Sequence, residues 1–249
     1  MKLKTTGLVA LLGVAALCFA AQAQQAPPPL ISVVRVVVKP DRHAEWREIT
    51  KQFSEAHKKG GGAFRHVWRS RTGNPHEYAI VAPRENYASF DSPGPARKGM
   101  SEADRARLVA KRRQHTQSVE ITYRQPIPEL TIPWASENPP GMIATFSPVV
   151  KVGMANDYVE HLKELVAAYK EAGIPAYGVH RMRWGGSRRT FVNWSPLDKM
   201  ADLDGEGWLT KSMSEEAREK WVEKLLPMLE SAEWGIWIYE EGLSYQTEQ

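Results

Sequence analysis

The sequence predicts an α+β protein made of two consecutive copies of one βαββαβ unit. The segment KGMSEADRARL, which begins at Lys98, recurs as KSMSEEAREKW from Lys211. Apolar patterns typical of strands and helices also follow one another in the same order in both halves. Similarity at a fixed spacing indicates that one structural unit is repeated. The predicted units span 30–125 and 142–243.

Further matches extend the repeat along each unit. Trp46 corresponds to Tyr158 in the first predicted helices, and Pro83 corresponds to Pro196 after the third predicted strands. One extra residue near Ile174 brings the spacings of these matches into agreement. We therefore expect the complete βαββαβ order in each half.

Each element of the unit has its own pattern. Runs of β-branched residues at 31–39 and 142–151 predict the first strands. Apolar residues at helical spacing predict the first helices at 41–59 and about 154–172, each followed by glycine. The other elements are predicted in matching order: strands at 63–71, 76–83, 176–184 and 188–195, second helices at about 101–116 and 213–231, and last strands at 119–124 and 234–240.

The segment between the units, 126–141, reads PIPELTIPWASENPPG. Proline on this scale is incompatible with a helix interior or a central strand, so we expect an extended linker. Within the repeated motif itself, Ser101 and Ser214 stand immediately before the second helices, with acids in the next positions. This pattern is typical of N-caps, and it explains the motif without a catalytic role.

The first 23 residues predict a secretory signal peptide. Lys2 and Lys4 give a positive start, an apolar run covers 8–20, and an A-x-A cleavage site follows at 21–23. The apolar run is short for a membrane span. We therefore expect a periplasmic or secreted protein that is cleaved near Ala23 and has no stable membrane anchor.

The composition limits how the mature chain is stabilised and what it binds. The single cysteine, Cys18, lies in the predicted signal, so the exported part must rely on a buried core instead of disulfides. The net charge is +4, of which Lys2 and Lys4 contribute two. The nearly neutral remainder, together with export, argues against a nucleic-acid partner.

The order of elements resembles the dimeric α/β-barrel superfamily, whose units are ferredoxin-like. The segments APRENYASFD at 82–91 and SPLDKMADLD at 195–204 are similar to the corresponding segment of its NIPSNAP-like and stress-responsive members. Antibiotic-biosynthesis-monooxygenase-like proteins are a further group of this type. The resemblance implies that the two antiparallel sheets face each other as an intramolecular barrel. This superfamily holds cofactor-free monooxygenases, haem-binding enzymes, isomerases and members without known activity, so the fold alone indicates little about function.

Matched strand positions predict a pocket between the two sheets. In the first and last strands, one set of positions is apolar in both units, whereas the alternate set carries polar and aromatic residues. Aromatic walls with a few converging polar groups are typical of small-molecule sites. The candidate ligand-binding residues are Arg35, Tyr78, Glu120, Thr145, Ser147, Trp184, Asn193, Trp237 and Tyr239. The alternative is a filled interface in which Arg35 and Glu120 form an ion pair.

His66 and His180, in the second strands, are the weak candidates for a catalytic role, as a general base or a haem ligand. A structural role for each histidine stays open. None of the seven histidines has a metal-ligand spacing, so we predict no metal site. The sequence requires no cofactor, and haem remains an alternative.

The leading functional hypothesis is that the exported protein binds a small hydrophobic or aromatic molecule. Nine tryptophans in the chain favour it, although tryptophan is also common in cores. One alternative is a cofactor-free monooxygenase- or isomerase-like enzyme that uses a strand histidine. A second alternative is a non-catalytic assembly module whose interior is filled by its own side chains. A homo-oligomeric state also stays open.

Overall fold

The structure is a computed structural model, and it describes residues 30–136, 138–204 and 207–247. The predicted signal peptide at 1–23 lies outside the described residues. The first half of the chain follows the predicted order of elements, with one added short helix. Its elements are β1 (Leu30–Val38), α1 (His43–Lys59), β2 (Phe64–Ser70), β3 (Glu77–Arg84), α2 (Pro95–Lys98), α3 (Glu102–His115) and β4 (Thr116–Pro126).

The second half repeats this order and adds a short final strand. Its elements are β5 (Met142–Val150), α4 (Ala155–Glu171), β6 (Gly178–Trp184), β7 (Phe191–Leu197), α5 (Trp208–Ser212), α6 (Glu215–Leu225), β8 (Leu229–Tyr239) and β9 (Tyr245–Gln246). Helix α6 is shorter than predicted, because Pro227 cannot continue a helix and the chain passes through a 3₁₀ turn into β8.

The strand pairings are the same in the two halves. β1 lies between β3 and β4, and β5 lies between β7 and β8, all antiparallel. β2 pairs with β3, and β6 pairs with β7. The halves are joined by the pairs β4–β6 and β2–β8. Each strand from β1 to β8 therefore has a neighbour on both sides.

The long helices cover one face of the sheet, which we call the outer face. In the first half, the Trp46 ring of α1 lies 4.4 Å from the Tyr78 ring of β3. In the second half, the Tyr158 ring of α4 lies 4.8 Å from the Phe191 ring of β7. All four side chains are almost completely buried. Both halves therefore anchor their first helix with an aromatic pair at the corresponding place.

The second helices begin as predicted. The Ser101 hydroxyl accepts a hydrogen bond from the Asp104 N–H, and the Ser214 hydroxyl accepts one from the Ala217 N–H. Each bond satisfies one of the free N–H groups at its helix start. Across the described residues, every helix is too short or too polar to span a lipid bilayer.

The proline-rich segment docks onto the second half instead of running free. Leu130 is completely buried in the core of that half. Ile132 exchanges two backbone hydrogen bonds with Tyr177, of 2.7 and 3.0 Å. The segment contains a 3₁₀ turn at Pro128–Leu130, and its position on the second half is fixed by burial and by backbone pairing.

Candidate functional site

The face of the sheet opposite the long helices, here the inner face, borders two adjoining cavity lobes. The turn lobe, of about 390 Å³, reaches the β2–β3 turn at Thr72, Gly73 and Asn74. The linker lobe, of about 360 Å³, is bordered by the linker residues Trp134 and Pro139. Both lobes are lined by the same seven residues: Val33, Trp68, Val81, Arg124, Ile143, Thr145 and Val192. The two lobes therefore lie side by side, and each has a size that suits a small molecule.

Strand alternation explains which residues reach this space. Successive side chains of a strand point to opposite faces, so every second residue lines the inner face. In β1 these are Val33 and Arg35, and in β5 they are Ile143, Thr145 and Ser147. The predicted faces of the two first strands are the ones found.

Aromatic rings form much of the inner face. The Trp68 and Tyr239 rings meet edge to face with centroids 5.0 Å apart. The Trp237 indole N–H donates to the Thr145 hydroxyl at 3.2 Å, which fixes the orientation of the ring. The Arg35 guanidinium carbon lies 5.9 Å from the centroid of the Trp237 ring. Trp237 and Thr145 line the turn lobe, whereas the predicted site residue Tyr239 lines neither lobe and packs in one apolar cluster with Trp237 and Trp68.

Arg35 is neutralised within the turn lobe. Its Nε donates to a carboxylate oxygen of Glu77 at 2.6 Å. Burial lowers the pKa of Arg35, but the hydrogen bond and charge of Glu77 outweigh burial, so the pKa is raised. The ion pair suggested by the sequence therefore forms with Glu77 instead of Glu120, which lies opposite Arg35 in β4 but is exposed and lines neither lobe.

Arg124 is the arginine that sequence reasoning left out of the candidate set. It lines both lobes, and its Nε is buried without a hydrogen-bond partner among the described residues. Burial, and then the charge of Arg35, lower the pKa of Arg124 to about 10, with Glu120 acting in the opposite direction. Arg124 is therefore still a cation at neutral pH, in a place where a cation is costly to keep. Its alternation in β4 with the predicted site residue Glu120 is a signal in the sequence that could have found it.

His66 and His180 both line the linker lobe. Burial, and then the charge of Arg124, lower the pKa of His180 to about 3. Burial also lowers the pKa of His66 to about 4, although its contact with the Gln246 side-chain oxygen, at 3.1 Å, opposes this. Both imidazoles are therefore neutral at pH 7 and can exchange hydrogen bonds with a ligand.

Two predicted site residues lie on the outer face. Tyr78 packs beneath α1, with its hydroxyl 3.0 Å from Nδ1 of His43. The Asn193 amide donates to the Tyr158 hydroxyl at 2.9 Å and accepts from the Tyr177 hydroxyl at 2.9 Å. The predicted placement of Tyr78 and Asn193 in the pocket is therefore wrong.

The cause is a one-residue error in the assignment of faces for the third strands. Val81 of β3 and Val192 of β7 line the cavity, so their neighbours in sequence point toward the helices. A polar side chain such as Asn193 can occupy the helix side because buried tyrosine hydroxyls satisfy its amide.

Trp184 also lies outside both lobes. It is 62% exposed, and its indole N–H donates to the Tyr87 hydroxyl at 3.1 Å. The aromatic residues that border the linker lobe in its place are Trp68, Trp134 and Trp194. Trp134 comes from the linker, where no periodic pattern marks a buried side chain. Within the described residues, no group of three or more potential ligands is arranged to hold a metal ion.

No protein-family model matches the sequence, and no curated protein matches it either. Solved structures do match the fold over most of the chain. A candidate monooxygenase from Lactobacillus acidophilus NCFM has a TM-score of 0.60 at 8% identity, with 88% of this chain and 96% of that chain covered. A candidate monooxygenase from Fusobacterium nucleatum subsp. nucleatum has a TM-score of 0.61 at 13% identity, covering 89% and 99%.

A third structure, of an anthrone oxidase-like protein, gives a TM-score of 0.60 at 11% identity and covers 88% of this chain and 93% of its own. At such low identity, likeness shows the fold and leaves the activity open. The α+β architecture with its large antiparallel sheet is thus shared with monooxygenase-like proteins over their full length. The chain therefore shares the fold of these three proteins.

Proposed function

We propose that this protein binds a small hydrophobic or aromatic molecule in the two lobes on the inner face of the sheet. The observation that carries the proposal is that the two lobes adjoin, since seven residues line both, and that tryptophans border each of them. A space of this kind, apolar with a few fixed polar groups, is the usual form of a small-molecule site. The proposed place of action is the periplasm or the exterior, after removal of residues 1–23.

We also infer that the ring of strand pairings is an intramolecular barrel formed by two duplicated units, at 30–125 and 142–243. The pairing pattern supports this inference, because exchanging the halves maps each pairing among β1 to β8 onto another. The two segments that resemble NIPSNAP-like proteins also form 3₁₀ turns at corresponding places, Tyr87–Phe90 and Met200–Leu203. Membership of that subgroup is part of the proposal.

The filled-barrel alternative is less well supported than binding. A filled interior would leave little space, as protein cores pack with few voids larger than a water molecule. Here the inner face borders two lobes of hundreds of cubic ångströms, and Trp237 is only partly buried. The assembly-module hypothesis would require these lobes to be closed in solution.

A ligand screen tests the proposal directly. Mature protein should be heated with a panel of aromatic compounds of one to three rings. A molecule that binds the folded state raises the melting temperature by mass action, and at a hundred times its Kd it adds about 2.7 kcal/mol of stability. A panel without a single reproducible shift would contradict the proposal.

A cofactor-free monooxygenase-like enzyme is the second candidate, and the neutral His180 beside Arg124 favours it. The His180 imidazole would take a proton from an acidic carbon of the ligand, and Arg124 would stabilise the resulting anion. With a pKa of about 3, His180 is a weak base in the empty lobe. A bound anion would offset the charge of Arg124 and make the imidazole more basic.

Anthrone is a suitable probe of this chemistry, since one fold neighbour is anthrone oxidase-like. Loss of a proton from its CH₂ group gives an anion that O₂ can oxidise. The CH₂ group becomes a carbonyl, one O₂ is consumed and one water is released. Oxygen uptake above background that disappears in His180→Ala would support turnover. Uptake equal to background in the wild type would reject turnover and leave binding intact.

A further inference from the structure

We propose that the ligand of this site is an aromatic carboxylate and that Arg124 binds its negative charge in the linker lobe. This inference rests on the proposed binding function and makes its ligand class specific. It starts from Arg124, whose buried Nε has no hydrogen-bond acceptor among the described residues. A guanidinium presents two parallel N–H groups, a geometry that matches the two oxygens of a carboxylate.

Arg124 differs from the other arginine of the cavity in having no hydrogen-bonded carboxylate among the described residues. Arg35 is bound to Glu77 at 2.6 Å, so its charge is compensated within the protein. Within the described residues, Arg124 Nε has no hydrogen-bond acceptor although it is buried, and no carboxylate lies within ion-pair distance of Arg124. Buried charges are normally paired, because an unpaired one loses its hydration without compensation. A bound anion would supply both the hydrogen-bond acceptor and the negative charge that Arg124 lacks among the described residues.

Arg84 also has a buried Nε without a partner, but its setting is different. Its guanidinium carbon lies 5.3 Å from the centroid of the Phe90 ring, which offers a favourable cation–π contact. Arg84 lines neither lobe. The argument for an anion therefore applies to Arg124 alone.

The distribution of charge favours the linker lobe as the place of the anion. Arg124 is the one formally charged side chain among the described residues that line this lobe. The carboxylates of the cavity, Glu77 and Glu233, both line the turn lobe, where they would repel an anion. An anionic group is therefore expected at Arg124 on the linker side.

The remaining walls of the linker lobe suit an aromatic body. Trp68, Trp134 and Trp194 supply flat apolar surfaces around Arg124. His66 and His180 are neutral there, so they add hydrogen-bonding capacity without a second positive charge. One cation among aromatic walls matches a ligand with one negative charge on a ring system.

The test compares 2-naphthoate with 2-naphthamide, which has nearly the same shape and no charge. Titration calorimetry on the mature wild type should show at least about 10-fold tighter binding of 2-naphthoate, since hydrogen bonds to charged groups exceed neutral ones by this order. Arg124→Met should lose that preference while it still binds 2-naphthamide within about 2-fold. Arg113→Met, which removes an exposed positive charge on α3, is the matched control and should behave as the wild type.

The possible outcomes separate the two proposals. Equal binding of the two compounds by the wild type would overturn the carboxylate assignment and keep the binding function. A charge preference that survives in Arg124→Met would place the anion elsewhere and also overturn the assignment. Absence of binding of both compounds, together with an empty ligand screen, would overturn the binding function itself. If Arg124→Met fails to fold, the comparison of the two compounds on the wild type and on Arg124→Lys still decides.

Discussion

Arg124 and His180 line the same lobe, and the charge of the arginine helps to keep the imidazole neutral. Burial makes the larger contribution, and together they lower the pKa of His180 to about 3. The pair thus combines a fixed cation with a neutral hydrogen-bonding ring in a space walled by tryptophan. Such a combination of perturbed groups in a cavity is characteristic of binding and catalytic sites.

The depressed histidine pKa values predict that the protein loses stability in mild acid. His57, His66 and His180 have folded-state pKa values of about 4, 4 and 3, against an ordinary 6.5. Below about pH 6.5 the unfolded chain therefore binds more protons than the folded one, and the free energy of unfolding decreases as pH falls. Urea denaturation between pH 7.5 and 4.5 measures this slope.

His180→Gln separates the contribution of the cavity histidine. Burial and the charge of Arg124 lower the pKa of the His180 imidazole to about 3, so it should account for a loss on the order of 2 kcal/mol between pH 6.5 and 4.5, because each pH unit in that window costs about 1.4 kcal/mol. The variant should show a correspondingly shallower slope. His115→Gln, on the partly exposed end of α3, is the control and should retain the wild-type slope. Identical slopes for His180→Gln and the wild type would show that His180 is not buried as described.

The assignment of Asn193 to the outer face predicts a stability effect without a binding effect. Asn193→Ala leaves the hydroxyls of Tyr158 and Tyr177 without their amide partner. Loss of partners for buried polar groups costs about 1–3 kcal/mol each, so the free energy of unfolding should fall by at least that order. Affinity for a ligand found in the screen should change by less than about 2-fold. A large loss of affinity at unchanged stability would contradict this assignment and would show that Asn193 contacts the ligand.

Export predicts the start of the mature protein. After secretion by its host, the chain should begin at or near Gln24, because the cleavage site occupies 21–23. Intact-mass measurement of protein recovered from the periplasm or medium checks this. A recovered chain that still begins with Met1 would contradict the signal-peptide prediction.

More of the fold than of the site could be predicted from the sequence. The order of elements follows from repeated apolar patterns, and the faces of β1 and β5 follow from alternation, as Arg35 and Thr145 show. The same alternation did not identify the inner faces of the third strands, β3 and β7. Residues on both of their faces are buried, so polarity does not identify the inner one. Asn193 is satisfied by Tyr158 of α4 and by Tyr177 before β6, which only the folded chain brings near.

Other features of the site depend on contacts that are remote in sequence. The partner of Arg35 is Glu77 from the neighbouring strand β3, not the expected residue of β4. Trp134 reaches the cavity because the linker docks through Leu130 and Ile132, and no local pattern reports that docking. Arg124 alternates with Glu120 in the sequence, but its lack of a hydrogen-bond partner among the described residues is visible only in three dimensions.

The measurement that tests the account most directly compares two tryptophan variants. Trp237 lines the turn lobe, whereas Trp184 is exposed outside both lobes. For Trp237→Ala we expect a binding loss on the order of 1–3 kcal/mol for a ligand from the screen, larger than its loss of stability. Trp184→Ala should bind as the wild type does. If Trp237→Ala instead loses about 3–5 kcal/mol of stability with binding unchanged, the interior is a packed core, and the assembly-module hypothesis replaces ligand binding.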